Sequence, residues 1–221
     1  NLTVLHFNKH IASLSPLDFL NKIIKPYFQV KKIIVGYDYR FGHKKQGTLD
    51  LLKQWGSKNS ISIIEIPEYK KDGVTVKSGL IRKLILTDFN QAIQLLGRPY
   101  LIIGKVVKGE GRGTSLGFPT ANVKLQRYRA ALSGVFCVRV DGLEERSIPG
   151  VANIGIRPTV DGKEPLLEVH MIDYESDIYG KRIKVTFEHR IREEMAFESL
   201  DALKERIGED LQIAKKWFED A

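Results

Sequence analysis

The chain has one cysteine in 221 residues, so it can form no internal disulfide and build no cysteine-based metal cluster. Cys137 lies inside an apolar strand pattern and reads as core, and this sparing use of cysteine suits a reducing cytosol. No run of about 18 apolar residues occurs, so no segment reads as a membrane-spanning helix. The opening Asn-Leu-Thr-Val-Leu-His lacks the basic stretch and long apolar run of a secretory signal. The expectation is a cytoplasmic protein without a membrane partner. Acidic excess is missing too: Lys+Arg number 35 against 27 Asp+Glu, a net charge of +8.

That charge is unevenly spread. Residues 1–97 hold 15 Lys+Arg and 7 Asp+Glu, whereas residues 98–221 hold 20 of each. Such asymmetry is what two separate domains, 1–97 and 98–221, would give. The local pattern changes at the same place. Before it, helices alternate with short strands: Ser15 caps a helix with Pro16 at its first position, and Lys32 to Val35 reads as a short buried strand. Thr48 to Trp55 is a second helix closed by Gly56, Ile61 to Ile66 a second strand. Asp88 with Gln91 opens a helix that Gly97 stops before Pro99. This alternation predicts an α/β unit with a parallel sheet. After residue 99, strands dominate at roughly 100–108, 135–141, 147–154, 166–173 and 182–189, between Gly and Pro turns. They predict a small antiparallel β-barrel or sandwich. A C-terminal helix follows, capped by Ser199, with Leu200, Leu203, Ile207, Leu211, Ala214 and Phe218 on one face.

The richest stretch is Gly104 to Asn122. A strand runs into a loop holding Gly109, Gly111, Gly113 and Gly117, which ends on Pro119-Thr120-Ala121-Asn122. Glycines let backbone N–H groups approach a phosphate closely, because no Cβ intervenes and positive φ is open to them. The hydroxyl of Thr120 and the amide oxygen of Asn122 can complete the shell of a Mg²⁺ that already carries phosphates and waters. The loop is neither a Walker A sequence nor a dinucleotide fingerprint leading into a helix. A lone glycine loop is usually just a turn.

The whole word, Gly-x-Val-x-x-Gly…Leu-Gly-Phe-Pro-Thr-Ala-Asn, resembles the signature of bacterial riboflavin kinases, the C-terminal half of the bifunctional riboflavin kinase/FMN adenylyltransferase (FAD synthetase) family. The resemblance continues in order. Gly134-Val135-Phe136 is similar to the family's Gly-Val-Tyr; Gly150 to Thr159 matches Gly-Val-x-Asn-Ile-Gly-x-Arg-Pro-Thr; Glu168-Val169-His170 with Asp173 and Tyr179-Gly180 matches Glu-x-His…Asp…Tyr-Gly; Arg192-Glu193-Glu194 and Phe197 match Arg-x-Glu…Phe.

The resemblance implies a small antiparallel β-barrel kinase domain that takes riboflavin and ATP with Mg²⁺ and yields FMN. It implies Glu168 as general base on the ribityl 5′-hydroxyl, and Thr120 and Asn122 as Mg²⁺ and phosphate contacts. Asn153 and the Gly109–Gly113 loop would line the nucleotide site; Arg192 and the loop to Phe197 would close over the flavin. Taken from the residues alone, Glu168 and His170 could equally face solvent on one side of a strand, and Arg192 could be an ordinary charge at a helix entrance.

Residues 1–97 resemble the second half of the family's adenylyltransferase domain, a Rossmann-like nucleotidyltransferase fold that would be partial here. Gly36-Tyr37-Asp38-Tyr39-Arg40-Phe41-Gly42 is similar to Gly-x-Asp-Phe-x-Phe-Gly, while Val76 to Arg82 matches the family's Ile-Ser-Ser-Thr-x-Ile-Arg only partly. None of the five histidines makes the family's His-x-Gly-His. The simplest account is that the segment bearing the first strand and helix is absent, so the intact parent would also convert FMN to FAD. A competing reading is a basic RNA-binding module, carried by paired lysines such as Lys31-Lys32, Lys44-Lys45 and Lys70-Lys71. Against it, the second half is neutral and has no aromatic run for stacking bases. No nucleic-acid partner is therefore expected, and nothing in the sequence sets an oligomeric state.

Overall fold

The computed structural model describes residues 2–109, 111–125, 131–159 and 162–220. The chain divides into two compact units, Asn1–Thr75 and Val76–Ala221. This division precedes the 97/98 junction read from charge and composition. Helices α5 (Ser78–Thr87) and α6 (Phe89–Leu96) bury Ile85, Phe89 and Ala92 in the core of the second unit.

In the first unit, α1 (Lys9–Ser13) precedes α2 (Pro16–Phe19), where the Ser15 hydroxyl accepts from the Asp18 N–H and Pro16 occupies the first helical position. The chain then widens to a π-turn over Leu20–Ile24 before α3 (Lys25–Tyr27). Pro26 offers no N–H to the turn before it, and the Lys25 N–H reaches Leu20 instead. Strands β1 (Lys32–Gly36) and β2 (Ser62–Ile66) pair in parallel on either side of α4 (Leu49–Lys58) in sequence. Two expectations need correction. The first strand is not buried: Ile33 and Val35 are half-covered by the Leu20–Leu52–Trp55 cluster, while Ile34 is 59% exposed. Nor does α4 stop at Gly56, which the helix passes through. A Cβ there would lie 2.7 Å from the Ile61 carbonyl oxygen, so this glycine serves packing rather than termination. A hairpin of β3 (Lys70–Lys71) and β4 (Val74–Thr75) turns through Asp72 and Gly73, both at positive φ.

In the second unit, the Asp88 carboxylate caps α6 through the Gln91 N–H, and Gly97 ends it in the left-handed conformation. Six strands then close an antiparallel barrel: β5 (Tyr100–Val107), β6 (Ala121–Lys124), β7 (Gly134–Asp141), β8 (Ile148–Thr159), β9 (Gly162–Met171) and β10 (Arg182–Arg192), in the order β10-β5-β6-β9-β8-β7. Closure removes the free strand edges that would otherwise invite association. Strand β6 is an element that the sequence pattern did not reveal.

Side chains alternate in and out of the barrel. Phe136, Val138, Val140, Ile154, Leu167, Val169, Val185 and Phe187 fill the interior, where Phe136 meets Phe187 edge to face at 5.4 Å. The intervening residues of β7 and β8, Cys137 and Val151, face outward beneath α8 (Leu200–Asp220), which covers them with Leu211, Ala214 and Trp217. Burial, with a smaller contribution from Glu188, pushes the Cys137 thiol up to about 12, so it stays protonated and inert at neutral pH. The Ser199 hydroxyl caps α8 by accepting the Ala202 N–H. Leu200, expected on the apolar face, is 70% exposed at the helix entrance. Among the described residues no helix is long and apolar enough to cross a membrane.

Candidate active site

Strand pairing sets one lateral row of residues across the outer face of the barrel. Asn122 on β6 is opposite Glu168 on β9, Glu168 opposite Asn153 on β8, Asn153 opposite Val135 on β7, and Val135 opposite Arg192 on β10. Residues in register on adjacent strands share a face, so all five side chains emerge together. At about 4.8 Å per strand, Glu168 and Arg192 stand about 14 Å apart along the barrel's arc. A cavity of about 420 Å³ lies over this row. The nine residues that the sequence assigned to substrates, metal or catalysis line it: the glycines 109, 111 and 113; Thr120 and Asn122; Asn153 and Glu168; Arg192 and Phe197.

The glycine loop is built by close approach. A Cβ on Gly109 would come within 2.5 Å of the Asn122 carboxamide carbon, and one on Gly113 within 2.8 Å of the Thr120 hydroxyl. The loop backbone therefore touches the two polar side chains directly. Gly111 and Gly117 stand at φ +72 and +89, conformations that residues with a Cβ seldom adopt. Between them the chain makes one helical turn, α7 (Arg112–Ser115), and the Phe118 N–H returns to the Gly113 carbonyl at 2.8 Å. His170 then fastens the end of the loop: its Nδ1 lies 2.8 Å from the Pro119 carbonyl oxygen, and Phe118 packs edge to face on its ring. Since a carbonyl only accepts, Nδ1 carries the proton. His170 thus positions Pro119-Thr120 and is not directed at a metal.

Asn122 is 9% exposed and Glu168 half-buried, next to each other on the floor beneath the loop. Among the described residues no group of three or more His, Cys, Asp or Glu could hold a metal without help. The Thr120 hydroxyl and Asn122 amide oxygen, packed against loop glycines that a Cβ would displace, suit a hard cation whose remaining ligands come from phosphates and water. This donor set fits Mg²⁺ accompanied by a nucleotide, not Mg²⁺ alone.

The opposite end of the cavity is different in kind. Val135 and the α8 residues Leu203, Ile207 and Leu211 line it, together with Met195 and Phe197. Arg192 lies here, and its partner was not foreseen. Asp210 of α8 is 2% exposed and accepts from Arg192 Nε at 2.9 and 3.0 Å and from a terminal guanidinium nitrogen at 2.8 Å. The guanidinium also lies 5.7 Å from the Phe197 ring centre. A second unforeseen contact holds Glu194, whose carboxylate accepts from the Ser133 hydroxyl at 2.8 Å and rests on Gly155. The sequence did carry one faint signal. Asp210 falls within the apolar stripe of α8, four residues before Ala214 and three after Ile207, where a carboxylate needs a partner. The motif side chains of Arg157, Pro158 and Thr159 lie outside those described.

A closed six-stranded barrel with a glycine loop on its outer face, followed by a long helix, is the framework of a riboflavin kinase domain: residues 96–218 match the riboflavin kinase family model. Residues 1–80 match the FAD synthetase family model. The bifunctional riboflavin kinase/FMN adenylyltransferases of Escherichia coli K12 and Pseudomonas fluorescens are 40% and 42% identical to this chain over 214 residues. Each match covers 96% of this chain and 68% of the relative. The chain belongs to the bifunctional riboflavin kinase/FMN adenylyltransferase family. A crystal structure from Streptococcus pneumoniae, described as a macrolide-efflux protein, shares the fold with a TM-score of 0.74 at 32% identity, over 96% of this chain and 68% of that one.

Proposed function

We propose that this chain transfers the γ-phosphoryl group of ATP to the 5′-hydroxyl of riboflavin, giving FMN and ADP. What supports this assignment of roles is the in-register row. It runs from a glycine loop suited to phosphates, past a carboxylate, to an apolar recess suited to a flat ring.

In this reading the triphosphate lies along Gly109–Gly113, and the ribityl chain passes over Glu168 and Asn153. The ring rests between Val135, the apolar face of α8 and Phe197. The roughly 14 Å of arc between Glu168 and Arg192 gives room for a sugar-alcohol chain and a fused ring end to end. The hydroxyl oxygen forms a bond to the γ-phosphorus as the bond to the β,γ-bridging oxygen breaks. ADP leaves with that electron pair, and the hydroxyl proton passes to a carboxylate oxygen of Glu168. A base of ordinary strength suffices, because a loose phosphoryl-transfer transition state demands little early deprotonation. Mg²⁺, held jointly by the triphosphate and the Thr120 and Asn122 oxygens, would offset the charge that gathers on the departing ADP. The protein's own contribution is to hold the two reacting oxygens in line and keep water out, with α8 closing one wall.

The match of residues 1–80 to FAD synthetase supports a second activity in a longer form of this protein, adenylylation of FMN to FAD. We assign the protein to the cytoplasm. The RNA-binding alternative gains no support, since its lysines lie in the first unit and the cavity lies in the second. Incubating the folded chain with riboflavin and Mg·ATP, then separating the flavins, tests the reading. FMN and ADP should form in equal amounts, and the absence of FMN would refute it.

A further inference from the structure

We infer that Asp210 is a positioning residue for the flavin end of the cavity, acting through Arg192 on Phe197; this rests on the kinase reading above. Asn122 and Asp210 are the buried polar residues among those described, and Asp210 alone of the two carries charge. Taking a carboxylate out of water is costly unless it is paired and hydrogen-bonded, so a buried one at a cavity wall calls for an account.

The pairing is one-sided in a revealing way. Asp210 engages Arg192 through Nε and one terminal nitrogen, while the other terminal nitrogen donates to the Glu193 carbonyl at 3.0 Å. Each guanidinium nitrogen therefore donates to a protein acceptor, and the Cζ atom is held over the Phe197 ring. Residues 193–199 belong to no helix or strand, so hydrogen bonding within secondary structure does not set their course. Arg192–Asp210 at one side and Glu194–Ser133 at the other set it instead. The same ion pair offsets the positive charge of Arg192, and Asp210 also meets Arg206, whose Nε lies 3.5 Å from its Oδ1. A free guanidinium here would attract phosphate to the wrong end of the cavity; a neutralised one leaves an apolar, flat-walled recess for an uncharged aromatic ring system. Asp210 thereby contributes to which end takes which substrate.

Asp210→Asn preserves shape and removes the charge. We expect KM for riboflavin to rise about 10-fold or more, KM for ATP to stay within about 2-fold, and kcat to fall less than KM rises. Asp210→Glu should recover part of the riboflavin affinity. Glu219→Gln, which alters an exposed carboxylate of the same helix, should behave as wild type. Equal changes in the two KM values, or no change in either, would overturn the inference. If Asp210→Asn does not fold, the double variant Arg192→Leu/Asp210→Leu removes both members of the closest pair together. A raised riboflavin KM in that folded variant supports the inference, and a wild-type KM overturns it. Failure of the wild-type chain to make FMN would instead remove the kinase reading, whatever the variants do.

Discussion

Replacing Gly109 by alanine isolates what the loop's close approach achieves. Residue 109 is exposed on one side, but a Cβ would point at the Asn122 carboxamide, 2.5 Å from its Cγ and 2.8 Å from its Oδ1, with the amide nitrogen nearer still. Ordinary contact begins near 3.4 Å, so the loop or the amide must yield by about 1 Å. Asn122 cannot readily yield, being 9% exposed and held in strand β6 between β5 and β9. The loop moves instead, carrying the phosphate-facing backbone away from Glu168. A misplacement of about 1 Å in a site of this kind costs about 10²-fold in rate. Gly109→Ala should therefore lower kcat/KM for ATP by about 10²-fold while the melting temperature stays close to that of wild type. Gly111→Ala is the matched control: nothing lies within 4 Å of its Cβ, and only its φ of +72 opposes the change. That conformational strain amounts to about 1–2 kcal/mol at most, which predicts a loss of about 30-fold at most. The assay is steady-state FMN formation over a range of ATP at saturating riboflavin, with thermal unfolding in parallel. If Gly109→Ala kept kcat/KM within about 3-fold of wild type, or if Gly111→Ala were the more damaging, the loop would not act by lying against Asn122.

Three further outcomes are expected. Glu168→Gln retains shape but cannot accept the hydroxyl proton, so FMN formation should fall by about 10²-fold or more with riboflavin binding little changed; half of wild-type kcat would refute the role. Thr120→Val keeps volume and removes an oxygen, so it should raise the Mg·ATP requirement and lower kcat together. ATP titrations at several Mg²⁺ concentrations that superimpose with wild type would exclude it. Given FMN and Mg·ATP, the 221-residue chain should release neither FAD nor pyrophosphate, because none of its five histidines stands in a His-x-Gly-His able to stabilise charge on the α-phosphate; FAD formation would mean that residues 1–97 hold a complete site.

The parts of the fold that sequence made legible are those set by neighbours along the chain. Ser15, Asp88, Gly97 and Ser199 act as the caps their spacing indicated, and β7 and β10 lie where the strand pattern put them. Four-residue β6 was missed because Ala121-Asn122-Val123-Lys124 is too short for a period and follows a proline. Its strand character comes from the edges of β5 and β9 that it joins. Gly56 was misread for a related reason. A glycine near a helix end looks like a stop, whereas here the closeness of Ile61 and Ile63 explains its lack of a side chain.

The candidate site divides along the same line. Glu168, Thr120, Asn122 and the glycines were found because each motif is contiguous and chemically suggestive, but their convergence comes from barrel register. Asn122 reaches Glu168 across 46 positions of sequence only because β6 pairs with β9. Arg192 shows the limit of reading one residue at a time: its sequence left open whether it closes over the flavin or is an ordinary charge at a helix entrance. The geometry adds what one residue cannot show: Asp210 pairs with the guanidinium, whose Cζ lies over the Phe197 ring. The information that separates these readings lies 18 residues away, on the inner face of a helix whose apolar stripe otherwise reads as plain packing. A carboxylate within such a stripe is therefore the residue to follow from sequence to structure, because the cost of burying it requires a partner, and here that partner lines the site.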